Sequence, residues 1–129
     1  MGAFKQFEEM EVWKESRKIA HSIYVITTDH KFNQDPKLRW QMRGSSGSIM
    51  DNIAEGFARG GTNEFIQFLR IAKGSAGELQ SQIYRCRDRN WLDKEQFDSL
   101  FNSTVAISSK IQKLIQYLIK TSRKGPTHK

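Results

Sequence analysis

From Phe65 to Cys86, apolar and small residues recur at alternating intervals of four and three: Phe65, Leu69, Ala72, Ala76, Leu79, Ile83 and Cys86. Only an α-helix returns side chains to one face at that period; a half-buried strand alternates by two. The stripe predicts one continuous rod from Asn63 to Asn90, about 42 Å long at the standard helical rise. Gly74 and Gly77 lie inside it without breaking the pattern.

Three more segments show the same logic. Val12, Ser16, Ile19, Ile23 and Ile26 mark a first helix over residues 7–28, widened by Trp13, Ala20 and Tyr24. The polar stretch Asp29 to Gln34 reads as a loop. A second helix, over 36–59, opens with Asp35-Pro36: the aspartate caps free amides of the first turn, and proline suits the first helical position. Its stripe is Leu38, Met42, Ser45, Ile49, Asn52 and Gly56, and Gly60-Gly61 end it. The third helix, 63–90, has Thr62 or Asn63 as its expected cap. The fourth, 94–120, begins with a capping box, Asp93 and Gln96, and a staple, Leu92 and Phe97. Leu100, Thr104, Ile107, Ile111, Leu114 and Leu118 form its stripe, with Phe101, Ile115 and Ile119 beside it. No alternating strand pattern, repeat or second domain is visible. The expected fold is all-α, an antiparallel up-down-up-down four-helix bundle over 1–121, followed by a basic flexible tail, 122–129.

The chain has 129 residues, 37% hydrophobic and 27% charged, which suits one folded domain rather than a disordered segment. No apolar run approaches the roughly 20 residues of a membrane span. The N-terminus lacks an apolar signal region, and Gln6 stands where a myristoylation signal has Ser or Thr. The single Cys86 rules out an internal disulfide. These features predict a cytoplasmic protein with no membrane partner.

The formal net charge is +7, rising from zero over residues 1–34 to +4 over 91–129. Such an excess favours polyanions, above all RNA or DNA, although a solvated basic surface gives the same count. The candidate nucleic-acid contacts are Arg85, Arg87 and Arg89, then Lys110, Lys113, Lys120, Arg123 and Lys124. Antiparallel helices place them in two regions at opposite ends. With no recognised nucleic-acid module present, binding is expected to be phosphate-driven and weakly sequence-specific.

Small residues cluster twice, at Gly44-Ser45-Ser46-Gly47-Ser48 and at Gly74-Ser75-Ala76-Gly77. Each interior helical glycine costs roughly 1 kcal/mol relative to alanine. Close approach of the second and third helices at these glycines is the expected compensation. A shallow groove for a backbone or phosphate is the rival reading. Asn52, Glu55, Glu78 and Gln82 fall near the same seam and are expected to form an internal polar network, with Glu55 and Arg59 placed to pair. Two carboxylates raise the question of acid/base or metal chemistry. His21, His30 and His128 are scattered, and no Glu-x-x-His pair exists, so no catalytic residue, metal or cofactor is predicted. Cys86 ends an apolar stripe and reads as a buried, inert thiol. Trp40, Ile53, Ile66, Ile71 and Ile119 lie off the stripes and predict self-association.

Gln41-Met42-Arg43, Ser48-Ile49, Asn52-Ile53-Ala54-Glu55-Gly56, Phe68-Leu69-Arg70-Ile71-Ala72-Lys73-Gly74-Ser75 and Glu78-Leu79 resemble the bacterial four-helix-bundle family, also called the 23S rRNA intervening sequence protein or S23 family. The likeness extends over nearly the whole chain. Gly44 departs from it, standing where the family often has alanine. The resemblance marks Ser48, Asn52, Glu55, Gly56, Gly74, Ser75 and Glu78 as motif and seam residues. It implies a bundle assembled into a homo-oligomeric ring, commonly a pentamer, without known enzymatic activity. Family members are encoded in insertions within ribosomal RNA genes. More distant relatives serve reverse transcriptases as accessory proteins and bind nucleic acid, so distant family analogy extends the implied partners to a reverse transcriptase. The functional expectation is a non-enzymatic, basic, oligomeric accessory factor that binds nucleic acid non-specifically; the alternative is a protein–protein interaction scaffold.

Overall fold

The computed structural model describes residues 5–124, with side chains described as far as Ser122. Within them, four α-helices follow one another: α1 (Glu11–Thr27), α2 (Pro36–Ala58), α3 (Thr62–Asp88) and α4 (Lys94–Lys124). No strand occurs among the described residues. Cross-helix partners run in opposite directions along neighbouring helices: Ser45 meets Glu78 and Ser48 meets Ser75. Arg43 reaches Thr27, and Lys73 reaches Gln112. The molecule is therefore the expected antiparallel up-down-up-down bundle. α2 and α3 pack most extensively, while the α1–α4 seam that closes the bundle is thin. Ile23, Leu38, Ile49, Leu69, Leu79, Ile83, Ile107 and Ile111 fill the centre, all fully buried.

The caps follow the local chemistry. The Asp35 carboxylate accepts from the Leu38 amide at 3.0 Å, with Pro36 opening α2. At α4 the capping box forms reciprocally: the Gln96 amide donates to Asp93 at 2.8 Å, and the Asp93 amide donates to the Gln96 side chain at 3.0 Å. α3 differs from expectation. Gly61, not Thr62 or Asn63, is its cap residue, and no side chain caps it. The chain turns at Gly60, whose φ of +85° places it in the left-handed region. α3 stops at Asp88 because Asn90 adopts φ of 61°. The Trp91 amide then donates to the Cys86 carbonyl at 2.9 Å and the Asn90 amide to the Arg87 carbonyl at 3.0 Å. These two bonds form a Schellman motif that folds Trp91 back onto the core.

α1 begins at Glu11 rather than Phe7. A 3-10 turn over Phe7–Glu9 and an extended Met10 precede it, which brings Met10 into the core at 2% exposure. The segment expected to be a polar loop is a 3-10 turn, His30–Gln34, with Phe32 wholly buried at its centre. α4 continues through Lys124, past the residue where the tail was expected to begin; residues 125–129 of that expected tail lie outside the described residues.

Two packing expectations need correction. Ile53 and Ile66 were expected off the stripes, yet they are 0% and 6% exposed, and Ile119 packs half-buried against the core. Each helix touches two neighbours, so its buried face is wider than a four–three stripe. Only Trp40 and Ile71 of that group are exposed. Nor do the clustered glycines mark close approach. A Cβ added at Gly44, Gly47, Gly74 or Gly77 would meet nothing within 4 Å. These four face outward. Close approach happens at Gly56, where an added Cβ would sit 2.5 Å from the Phe68 Cβ.

Candidate functional site

The α2–α3 seam carries the small polar residues singled out in the sequence. The Ser48 and Ser75 hydroxyls lie 2.8 Å apart, and the Asn52 amide donates to the Ser48 hydroxyl at 2.9 Å and to its carbonyl at 2.8 Å. Ser45 donates to Glu78 at 3.1 Å and to the Gln41 carbonyl at 2.9 Å. Two separate hydrogen-bonded groups thus tie α2 to α3. Glu55 and Gln82 belong to neither. Glu55 turns outward and accepts from Arg59 at 3.1 Å, while Gln82 is buried with no partner for its side-chain oxygen. Ser45 and Glu55 stand ten residues apart on α2, about 15 Å along the axis. The Glu55 and Glu78 carboxylates therefore do not converge on a common point. Among the described residues no group of three or more His, Cys, Asp or Glu is arranged to hold a metal ion.

The arginine cluster divides. Arg89 donates to Asp35 at 2.7 Å, and Arg85 lies 3.9 Å from the same carboxylate and 3.4 Å from the Gln41 side chain. Asp35 thus caps α2 while joining it to the end of α3. The Arg89 hydrogen bond first, and the Leu38 amide next, hold its carboxyl below the usual carboxylate range. Stability from this ionised group is complete above the ordinary carboxylate pKa and is lost as pH falls through the lowered one. The Asp35→Asn variant keeps the cap but loses the charge. Its unfolding temperature is expected to lie below that of the wild type at neutral pH, with the gap closing in acid below about pH 4. A gap independent of pH would mean the ion pairs contribute nothing. Arg87 points elsewhere, donating to the Leu92 carbonyl at 3.3 Å and lying over the Phe97 ring at 5.8 Å.

The lysines of α4 also split. Lys110 pairs with Glu15 across the thin α1–α4 seam, beside an open trough of about 420 Å³ lined by Glu11, Lys18, Ile19 and Ser103 among others. Lys113 and Lys120 are exposed, further along α4. Nothing is described for the side chains of Arg123 and Lys124. The predicted contact residues therefore occupy separate places: a structural arginine pair on Asp35, a seam lysine, and exposed lysines toward the far end.

Cys86 is fully buried, its Sγ 3.5 Å from the Met42 Sδ. Burial pushes its thiol up to about 11. A disulfide reagent at mildly alkaline pH is expected to modify it at least about 100-fold more slowly than it modifies the unfolded chain. Equal rates would contradict the burial.

One arrangement was not anticipated from the sequence. The Arg43 guanidinium lies 4.5 Å from the Tyr24 ring centroid and 5.4 Å from that of Trp40, joining α1 to α2. Its Nε donates to the Thr27 hydroxyl at 2.9 Å. The Trp40-x-x-Arg43 spacing on one helix was a visible signal; Tyr24, on another helix, was not.

The family comparison agrees with this architecture. A crystal structure at 1.70 Å of a protein with unknown function from the S23 ribosomal protein family of Bacteroides thetaiotaomicron superposes with a TM-score of 0.74 at 23% identity, covering 81% of this chain and 95% of that one. At that identity the likeness speaks for the fold. No curated protein matches the chain. The family model described as 23S rRNA-intervening sequence protein matches residues 8–113. The chain belongs to the 23S rRNA intervening sequence protein family.

Proposed function

We propose that the protein is a non-enzymatic accessory factor that binds nucleic acid chiefly through phosphates and acts as a homo-oligomer, in the pentameric ring that the family resemblance implies. The supporting observation is the net charge. Internal ion pairs consume one cation for each anion, so whichever pairs form, a formal surplus of +7 per copy remains. Asp35, Glu15 and Glu55 are occupied by Arg89, Lys110 and Arg59. Exposed lysines such as Lys113 and Lys120 carry part of the surplus. Several weakly attached phosphates on a multi-copy assembly gain avidity without base recognition.

The test is a titration of labelled duplex across a range of salt. Affinity is expected to fall linearly on log–log axes, with a slope of about −0.9 for each phosphate neutralised. Lys113→Glu with Lys120→Glu should reduce both the affinity and the slope. Affinity that ignores salt would reject the proposal.

The exposed Trp40, Ile71, Val105 and Tyr117 favour a second reading, a protein-interaction scaffold. A single protein partner that survives nuclease treatment in a pull-down would support that reading.

A further inference from the structure

We infer that the Tyr24–Arg43–Trp40 stack is a platform for unpaired nucleobases, so that the nucleic acid bound is single-stranded RNA or DNA; this rests on the nucleic-acid reading above. Tyr24 and Trp40 are 54% and 64% exposed although Arg43 lies against both rings. A guanidinium that merely shielded aromatic surface would leave less of it open. Large rings left in water on two rigid helices have their ordering cost already met by folding.

The arginine between them is fixed. Its Nε is held by the Thr27 hydroxyl, and Thr27 is wholly buried and itself donates to the Ile23 carbonyl at 2.7 Å. Arg43 thus holds a fixed cation against both rings, and nucleobases stack on aromatic and guanidinium planes alike.

The surroundings suit a polyanion. Lys37 is exposed three residues before Trp40, on the same side of α2. The nearby carboxylates are engaged, Asp29 with Lys31 and Asp35 with Arg89. A nucleic acid strand brings bases for the rings and phosphates for the exposed Lys37 together. A duplex offers no free base faces along its length, so the stack discriminates by strandedness.

The experiment uses the full chain and three labelled probes: oligothymidine and oligouridine of about 20 nucleotides, longer than one stacking site, and a duplex of equal length. Trp40→Ala is expected to weaken single-strand binding by roughly 5- to 150-fold, the range for loss of one base–aromatic stack. Duplex binding should stay within about twofold, because its phosphate contacts are untouched. Trp40→Phe should restore most of the loss, and Tyr24→Leu, at the other ring against Arg43, should reproduce it. Equal loss on all probes, or no loss on any, overturns the stack while leaving phosphate binding intact. A change in assembly size on Trp40→Ala also overturns it, since the rings would then be a contact between copies. If the wild-type protein binds none of the three probes, the nucleic-acid reading itself falls.

Discussion

Replacing Phe32 by alanine is expected to remove about 3–5 kcal/mol from the unfolding free energy. Phe32 is fully buried, and its ring meets that of Trp91 edge-on, with centroids 4.8 Å apart and planes at 62°. Trp91 stands there because the left-handed Asn90 and the Trp91–Cys86 hydrogen bond fold the end of α3 inward. The two rings therefore close one end of the bundle, joining the α1–α2 turn to the α3–α4 turn. Truncation would leave a cavity between two turns that have little room to collapse. Domains of this kind are stable by only about 5–15 kcal/mol in total, so the loss is a large fraction of it. Urea unfolding should show a lower midpoint with an unchanged slope. Asn33→Ala, at an exposed neighbour on the same turn, should stay within about 0.5 kcal/mol of the wild type. A Phe32→Ala loss below about 1 kcal/mol would contradict this account of the bundle end.

Gly56→Ala and Gly44→Ala should change stability in opposite directions. Both glycines lie inside α2, so helix propensity alone predicts a gain of roughly 0.5–1 kcal/mol at each. At Gly44 nothing lies within 4 Å of the new methyl, and the gain should appear. At Gly56 the methyl would sit 2.5 Å from the Phe68 Cβ and 3.1 Å from the Phe65 Cδ1. The Phe68 Cβ is attached directly to the α3 backbone, so relief requires the two helices to part. Overpacking of that kind costs about 1–3 kcal/mol, enough to reverse the sign. Gly56→Val should be worse. Thermal unfolding of the single variants checks this, and stabilisation by Gly56→Ala would show that the seam is not tight there.

The helices were legible because their signals are local. Asp35-Pro36 and the Asp93–Gln96 box act within one turn, and both caps form as the residues dictate. The stripe from Phe65 to Cys86 lies in the core along its whole length. The Ser48–Ser75 contact was within reach too, since two small-residue clusters on adjacent antiparallel helices had to meet somewhere. The roles within those clusters were not. Gly56 stood on the α2 stripe while Gly44, Gly47, Gly74 and Gly77 stood off theirs, a difference that the clustering of small residues masked: the four face open space, and Gly56 presses against Phe68. Phe32 was hidden by its polar neighbours in a segment too short to show a period. The arginines at 85 and 89 carried no mark that Asp35, 54 residues before Arg89 in the chain, would bind both.

By itself the sequence determined four helices, their order, most of their ends and a positive surface, because periodicity, capping and charge depend on neighbours within a few residues. The tertiary structure alone decided how closely Gly56 approaches Phe68, that Ile53 and Ile66 are buried, and how Tyr24 and Trp40 come to share one arginine. Those outcomes depend on how each rod is turned toward two others, and that rotation is set by packing the whole core at once.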